Sequence, residues 1–341
     1  MKAKTKGPAG SAGPKRVLIT GGAGFIGRWV VKAFLGDTRA WVYVLDDFSN
    51  GTAANLEEFR REPRLAEVKK LDIARAKQTA DFVARVKPDL CVHLAAQIVV
   101  QHSIDDPART FESDVRGTFN LLEACRAAGS RFAFMSTCMV YDLAAPKGAI
   151  AETHPALPRS PYAGAKLAGE NLAISYYHAY GMPAVVMRPF NTYGPHQKAT
   201  GEGGVVAIFV SRQLRGADLN IYGSGRQTRD LLYAEDCAEF VMRASLSRAA
   251  EGEIINAATG DDIAVNALAK LVVSGAPVKT ASKVKHIEHI HPQSEIMKLC
   301  GNARKAERLL GWRPKVTLEE GVSRTRGWIE GLIERGDETW L

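Results

Sequence analysis

The sequence predicts an α/β protein built on a doubly wound parallel sheet, with a smaller α/β lobe towards the C-terminus. Three observations predict it. A glycine-rich run, Thr20-Gly21-Gly22-Ala23-Gly24-Phe25-Ile26-Gly27, joins the apolar strand Val17-Leu18-Ile19 to a helix-period stretch of Phe25, Ile26, Trp29, Val30, Ala33 and Phe34. A second apolar run, Trp41 to Leu45, ends in Asp46 roughly twenty residues beyond the loop, where dinucleotide-binding folds keep an acid. Short apolar runs then alternate with helical stretches as far as residue 190, as parallel strands joined by crossover helices do. Together these define a Rossmann-type arrangement.

In the first turn, Gly21 permits a tight bend, Gly24 lets the backbone approach a pyrophosphate, and Gly27 lets the new helix pack on its strand with its free amides facing the anion. Asp46 accepts hydrogen bonds from a ribose diol and repels a 2'-phosphate. No Arg follows in Asp46-Asp47-Phe48-Ser49-Asn50-Gly51, so NAD is favoured over NADP. Val68 to Asp72 reads as a third strand and Ala76 to Val86 as a crossover helix. The strand Asp89 to His93 runs into Leu94-Ala95-Ala96, small residues that leave room for a cofactor across its carboxyl end. Pro107 opens a helix from about Ala108 to Ala128, and Arg131 to Thr137 is the next buried strand.

Pro161 starts a helix whose first turns carry Tyr162 and Lys166, four apart and therefore on one face. An ammonium near a phenol stabilises phenolate, which can take a proton from a sugar hydroxyl; a surface pair at this spacing is the alternative. Thr137 ends the preceding strand, either bridging substrate and Tyr162 or capping the next turn. Pro183 to Arg188 is a further strand, followed by a loop rich in breakers, Pro189 to Pro195. Beyond it, helices near 203–214, 235–246, 265–273 and 318–333 alternate with short strands near 219–221 and 253–256. The expected division is a disordered basic tail at 1–14, an NAD-binding domain at 15–190, and a lobe at 191–341 that mainly binds substrate.

At 341 residues the chain can bury a large core. The formal charge is +8, but Lys2, Lys4, Lys6, Lys15 and Arg16 supply five of those charges from a Gly/Pro/Ser/Ala segment ahead of the first strand. The remaining surplus of three does not argue for nucleic acid and suits an anionic substrate. No apolar run spans a bilayer and no secretory core is present, so a cytoplasmic protein without membrane contact is expected. Cys91, Cys125, Cys138, Cys237 and Cys300 are odd in number and far apart, which indicates neither a disulfide framework nor structural zinc. His286, His289 and His291 lack ligand spacing, and no metal is expected.

The glycine loop, Asp46, His93-Leu94-Ala95-Ala96, Ser136-Thr137 with Val140-Tyr141, Tyr162-x-x-x-Lys166 and Arg188-Pro189-Phe190-Asn191 together resemble the extended short-chain dehydrogenase/reductases that modify nucleotide sugars, of the UDP-glucose 4-epimerase type. The resemblance spans about residues 15–335 and continues through Gly223 to Asp230 and Leu310 to Pro314. It implies bound NAD that takes a hydride from C4 of a nucleoside-diphosphate hexose, with Tyr162 as base, Lys166 on the nicotinamide ribose and Thr137 orienting the sugar hydroxyl. Phe25, Ile26, Asn50, Asp72, Ile73 and Leu94 to Ala96 would line the cofactor; Met139, Asn191, Arg229 and Glu295 would meet the substrate, Asn191 and Arg229 at its diphosphate. A homodimer is implied, through helices 108–128 and 161–180.

Dehydratases of this family generally carry an Asp-Glu pair after the catalytic Thr; here Cys138 and Met139 stand there, and the Glu of the decarboxylating branch is absent too. Glu202-Gly203-Gly204-Val205 also resembles the epimerase branch, so a 4-epimerase acting on a UDP-sugar is favoured. The alternative is a 4,6- or 5,6-elimination using Cys138 as acid or base, against the bland reading of an inert buried thiol. A non-catalytic NAD-binding sensor or scaffold is the reading of another class, although such proteins usually lose the Tyr or Lys. Two departures from the pattern stand out: Asp114 where many relatives have Asn, and His291 to Glu295 in place of a segment that often supplies an Arg.

Overall fold

The computed structural model describes residues 15–142, 148–200, 204–275, 282–288, 296–337 and 340. Strand β1 (Arg16–Thr20) turns through the glycine run into α1 (Phe25–Asp37), then β2 (Trp41–Asp46), β3 (Leu65–Lys70), α2 (Ala76–Val86) and β4 (Leu90–His93). Short helices α3 (Val100–Asp105) and α4 (Pro107–Thr110) lead through a π-helical turn, Phe111–Arg116, into α5 (Gly117–Ala128) and β5 (Arg131–Met135). Helix α6 (Pro161–Tyr180) and β6 (Ala184–Pro189) complete the alternating part. Beyond it come β7 (Asn191–Tyr193), α7 (Val205–Leu214), β8 (Leu219–Tyr222), β9 (Thr228–Tyr233), α8 (Ala234–Leu246) and β10 (Ile254–Ala257). The chain closes with β11 (Asp262–Ala264), α9 (Val265–Ser274), β12 (Val284–Ile287), β13 (Lys298–Leu299), α10 (Arg304–Leu310) and α11 (Leu318–Glu334).

The large sheet runs β3-β2-β1-β4-β5-β6-β10, with every neighbouring pair parallel. Strand order reverses between β1 and β4, and a crevice opens at the carboxyl ends of strands at such a switch point. Apolar side chains bury both faces. Val17, Ile19, Val30, Phe34, Val241 and Trp312 fill one layer, and Leu18, Phe82, Leu121, Phe132 and Val186 the other. A separate core of Val206, Phe209, Ile221, Leu268 and Ile329 holds the lobe, where β11, β9 and β13 form a small sheet, β7 pairs with β9, and β8 pairs with β12.

Several elements differ from the sequence expectation for local reasons. The third strand ends at Lys70, because the Asp72 carboxylate turns back to accept from the Ala74 N–H at 2.9 Å. The helix expected over 108–128 is broken by the π turn, whose extra residue brings Asp114 inside while the Thr118 hydroxyl takes the Asp114 carbonyl. The breaker-rich stretch after Pro189 contains β7, too short for periodicity to reveal beside its Pro and Gly. Residues beyond 190 do not stay in the lobe: β10 extends the large sheet and α8 packs on α1. All five cysteines are buried and free. No helix among the described residues is long and apolar enough to cross a membrane. The basic tail, Glu202, His289, His291 and Glu295 lie outside the described residues.

His93 pins the switch point. Its Nδ1 meets the Thr20 hydroxyl at 2.7 Å and its Nε2 the Thr118 hydroxyl at 2.9 Å, tying β4 to β1 and α5. Burial, then the Lys166 charge, lower its pKa from 6.5 to about 3, so the folded ring stays neutral. The unfolded chain takes up this proton near 6.5, so stability present above that pH is lost as pH falls towards 3, by up to about 1.4 kcal/mol per unit. Urea unfolding at pH 7, 6 and 5 checks this. His93→Gln, which keeps a donor and an acceptor for the two hydroxyls, should unfold with a shallower pH slope than the wild-type chain.

Candidate active site

A cleft of about 790 Å³ lies across the carboxyl ends of β1, β2, β4, β5 and β6 and is closed on one side by the lobe. It is of the size that takes a small-molecule ligand and cofactor. The glycine run forms its floor. Gly21 has φ +71, and a Cβ there would stand 2.7 Å from the Ala95 N; a Cβ on Gly27 would stand 2.0 Å from the Gly21 carbonyl oxygen. Both positions therefore require glycine if β1, α1 and the Leu94 to Ala96 segment are to meet. Helix α1 begins at Gly24 without a side-chain cap or an acidic residue in its first turn. Its amides and dipole thus face the cleft uncompensated, an arrangement suited to a pyrophosphate.

Asp46 closes β2 at the same edge. Its Oδ2 accepts from the Ala23 N–H and its Oδ1 from the Phe48 N–H, each at 2.9 Å. Burial raises the carboxyl above its ordinary value and the two amides oppose the rise. Asp46 therefore shapes the glycine turn as well as lining the cleft. Asn50, Asp72, Ile73, Leu94, Ala95 and Ala96 line the same wall, beside Phe25 and Ile26. Gly51 escaped the sequence reading, yet a Cβ there would come within 2.6 Å of the Ala23 backbone.

At the other end, Thr137, Cys138, Met139, Tyr162, Lys166, Asn191 and Arg229 meet on the cleft wall. Ser160 caps α6 by accepting from the Ala163 N–H at 3.2 Å, and Pro161 occupies its first turn, which fixes where Tyr162 emerges. Of the two roles weighed for Thr137, the structure shows the cap. Its hydroxyl accepts from the Met139 N–H at 3.2 Å, capping the short 3₁₀ turn Cys138–Val140, and also bonds to the Tyr162 phenol. The expected lowering of that phenol is absent. Burial and then the Asp114 charge raise Tyr162 above its ordinary value, and the Thr137 bond opposes them. Lys166 is buried and donates to the Met135 carbonyl at 3.0 Å. Burial lowers its pKa, while Asp114 and Glu170 act to raise it.

Cys138 is buried, and its Sγ lies 3.9 Å from Asn191 Oδ1. Burial, then Asp230, pushes the thiol up to about 12, so it is a thiol and not a thiolate at neutral pH. Arg229 is anchored through Nη1 to the carbonyls of Ile296 at 2.7 Å and Thr228 at 2.9 Å. Gln97, Arg109, Arg159, His196 and Trp340 also line the cleft and went unnoticed in the sequence. They come from loops and short helices with no motif or period to mark them.

The fold and this constellation define a dinucleotide-binding α/β enzyme with a Thr, Tyr and Lys set at the switch point. The profile of the GDP-mannose 4,6 dehydratase family matches residues 18–325, and the chain belongs to that family, within the extended short-chain dehydrogenase/reductases. UDP-glucose 4-epimerase of Mycolicibacterium smegmatis is 36% identical over 91% of this chain and 97% of its own. dTDP-glucose 4,6-dehydratase of Neisseria meningitidis serogroup B is 31% identical over 92% and 93%. Among solved structures, Pal from Bacillus thuringiensis superposes with a TM-score of 0.89 at 54% identity, covering 93% of this chain and 99% of its own. The NAD complex of Thermus thermophilus UDP-glucose 4-epimerase gives 0.84 at 33%, with 93% and 99% covered.

Replacing Gly27 by Ala forces the Gly21 carbonyl out of the cradle. Calorimetric titration with NAD should show affinity reduced at least tenfold, and thermal unfolding a loss of about 1–3 kcal/mol, the usual cost of overpacking. Unchanged NAD affinity in a folded Gly27→Ala variant would contradict the cradle.

Proposed function

We propose that this protein is an NAD-dependent nucleotide-sugar 4-epimerase acting on a UDP-hexose. The carrying observation is that Thr137, Tyr162 and Lys166 converge at the end of a dinucleotide-sized cleft whose neighbouring positions, Cys138 and Met139, hold no carboxylate. Withdrawal of a hydride from C4 of the sugar and its later return is the chemistry that NAD supplies when bound. Gly21, Gly24 and Gly27 would hold its pyrophosphate and Asp46 a ribose diol.

The rest falls to side chains of this chain. Tyr162, as phenolate, takes the proton of the 4-hydroxyl as C4 becomes a ketone and is left as a phenol, and the contact with Thr137 favours the phenolate that precedes this step. Lys166 supplies the buried positive charge of the site one helical turn away. Asn191 and the anchored guanidinium of Arg229 hold the diphosphate, which leaves the sugar ring to turn over between hydride departure and return. No further acid or base is needed for that outcome.

A second reading rests on Cys138, which lines the cleft beside Thr137. A thiol pushed up to about 12 is a proton donor, so in an elimination it would protonate the departing hydroxyl and be left as thiolate, and a separate base would have to take the carbon-bound proton. Incubation with UDP-glucose and NAD followed by mass spectrometry separates the two. Epimerisation leaves the mass unchanged, whereas elimination gives a product lighter by one water. Tyr162→Phe should lower turnover by about 10²–10⁴-fold, and Cys138→Ala should leave epimerisation within a few fold.

Ile104, Phe111, Phe119 and Tyr180 stand exposed on α3, the π turn, α5 and the end of α6. These exposed apolar side chains support a homodimer in which these helices pair across a two-fold axis. Light scattering should give twice the chain mass, and Phe119→Glu should shift it to the monomer.

A further inference from the structure

Asp114 has no part in the chemistry above, yet it is buried beside it. The π turn that carries it packs against α6 as well as α5. Its carboxyl is 3% exposed. Oδ1 accepts from the Gln97 N–H at 2.7 Å and the Ser113 hydroxyl at 2.5 Å. Oδ2 is equally buried and has no hydrogen-bond partner among the described residues. Leaving a buried carboxylate oxygen unbonded is costly, and such a group persists where a nearby cation or a functional role compensates it.

The cation is Lys166. It is 4% exposed, and among the described residues its ammonium, with three N–H donors, bonds only the Met135 carbonyl. Burial raises the Asp114 carboxyl and lowers the Lys166 ammonium from their ordinary values, and the charge of each group opposes the shift of the other. The charge of the same carboxylate also opposes phenolate at Tyr162. The other groups around this pair are few. Glu170 faces Lys166 from α6 and is itself held by Arg188, neutral His93 faces it from β4, and Cys138 faces Tyr162. Arg116 and Glu112 pair with each other at the surface of the turn.

We propose that Asp114 is a positioning residue of this site: its carboxylate balances the buried Lys166 ammonium and thereby restrains the ionisation of Tyr162. This rests on the oxidoreductive reading of Tyr162 and Lys166 given above. A neutral amide at 114 would keep an acceptor for the Gln97 N–H and lose the charge. Lys166 would then release its proton at lower pH, and Tyr162 would also ionise at lower pH. A purely structural Asp114 would change stability and leave both midpoints where they are.

The test uses the full chain without ligand, carrying [ε-¹³C]lysine, with the Lys166 signal assigned by its loss in Lys166→Arg. In Asp114→Asn the Lys166 titration midpoint should fall by about one pH unit or more, the size expected on losing a close opposite charge. Should the Asn variant unfold early in thermal denaturation, Asp114→Ser carries the same comparison. Equal midpoints in a folded variant overturn the proposal. With UDP-glucose as substrate, the acid limb of the kcat/KM profile should move down by about a unit in the same variant; an unmoved limb overturns the coupling to Tyr162. A shifted Lys166 midpoint without any turnover of UDP-glucose by the wild-type protein upholds the charge balance and removes the epimerase reading instead.

Discussion

The buried ion pair between Arg188 and Glu170 is the interaction on which the reactive end of the cleft depends. Arg188 on β6 donates from Nε at 2.8 Å and also from Nη2 to the Glu170 carboxylate on α6, and Ser136 donates to the same group from the end of β5. Burial works against the guanidinium charge and Glu170 more than restores it. Three elements distant in sequence are thereby locked at one level: the strand end bearing Thr137, the helix bearing Tyr162 and Lys166, and the strand leading to Asn191. Removing one partner of such a pair leaves an uncompensated buried charge, typically a loss of about 3–5 kcal/mol. The guanidinium also stacks 4.6 Å over the Tyr141 ring, whose hydroxyl donates to Asn256 on β10, so the lock reaches the edge strand supplied by the C-terminal half.

The two ends of the cleft are built on different physics. At the glycine run, backbone amides, a helix dipole and the absence of Cβ atoms make a cradle that is set by covalent geometry and close approach. At the reactive end, side chains are buried with their charges in low dielectric, so each ionisable group is tuned by its neighbours. Burial pulls Tyr162 towards its neutral form and Lys166 towards losing its charge; Thr137, Asp114 and Glu170 set the balance.

Cys138 illustrates how environment limits what a residue can contribute. The same thiol beside a helix N-terminus or a cation would be nucleophilic; enclosed with Tyr141, Ile150, Phe190 and Leu299, it remains protonated. Its place after Thr137 still puts it on the cleft wall, where a proton donor is the one acidic role open to it.

Much was legible in the sequence because it depends on local rules. The glycine spacing, the strand-ending Asp46, the Tyr162 and Lys166 pair on one helical face, and the alternation of strands and helices follow from turn sterics and periodicity. These residues, and those that the family resemblance added, line one cleft, apart from Glu295, which lies outside the described residues. What the tertiary structure alone decided depends on contacts between segments far apart in the chain. The π turn that brings Asp114 inside, the return of β10 to the large sheet, the strand hidden in Asn191–Tyr193, and the rise rather than fall of the Tyr162 phenol's pKa are of this kind. Burial and electrostatic neighbours are properties of the packed molecule, and no local pattern encodes them.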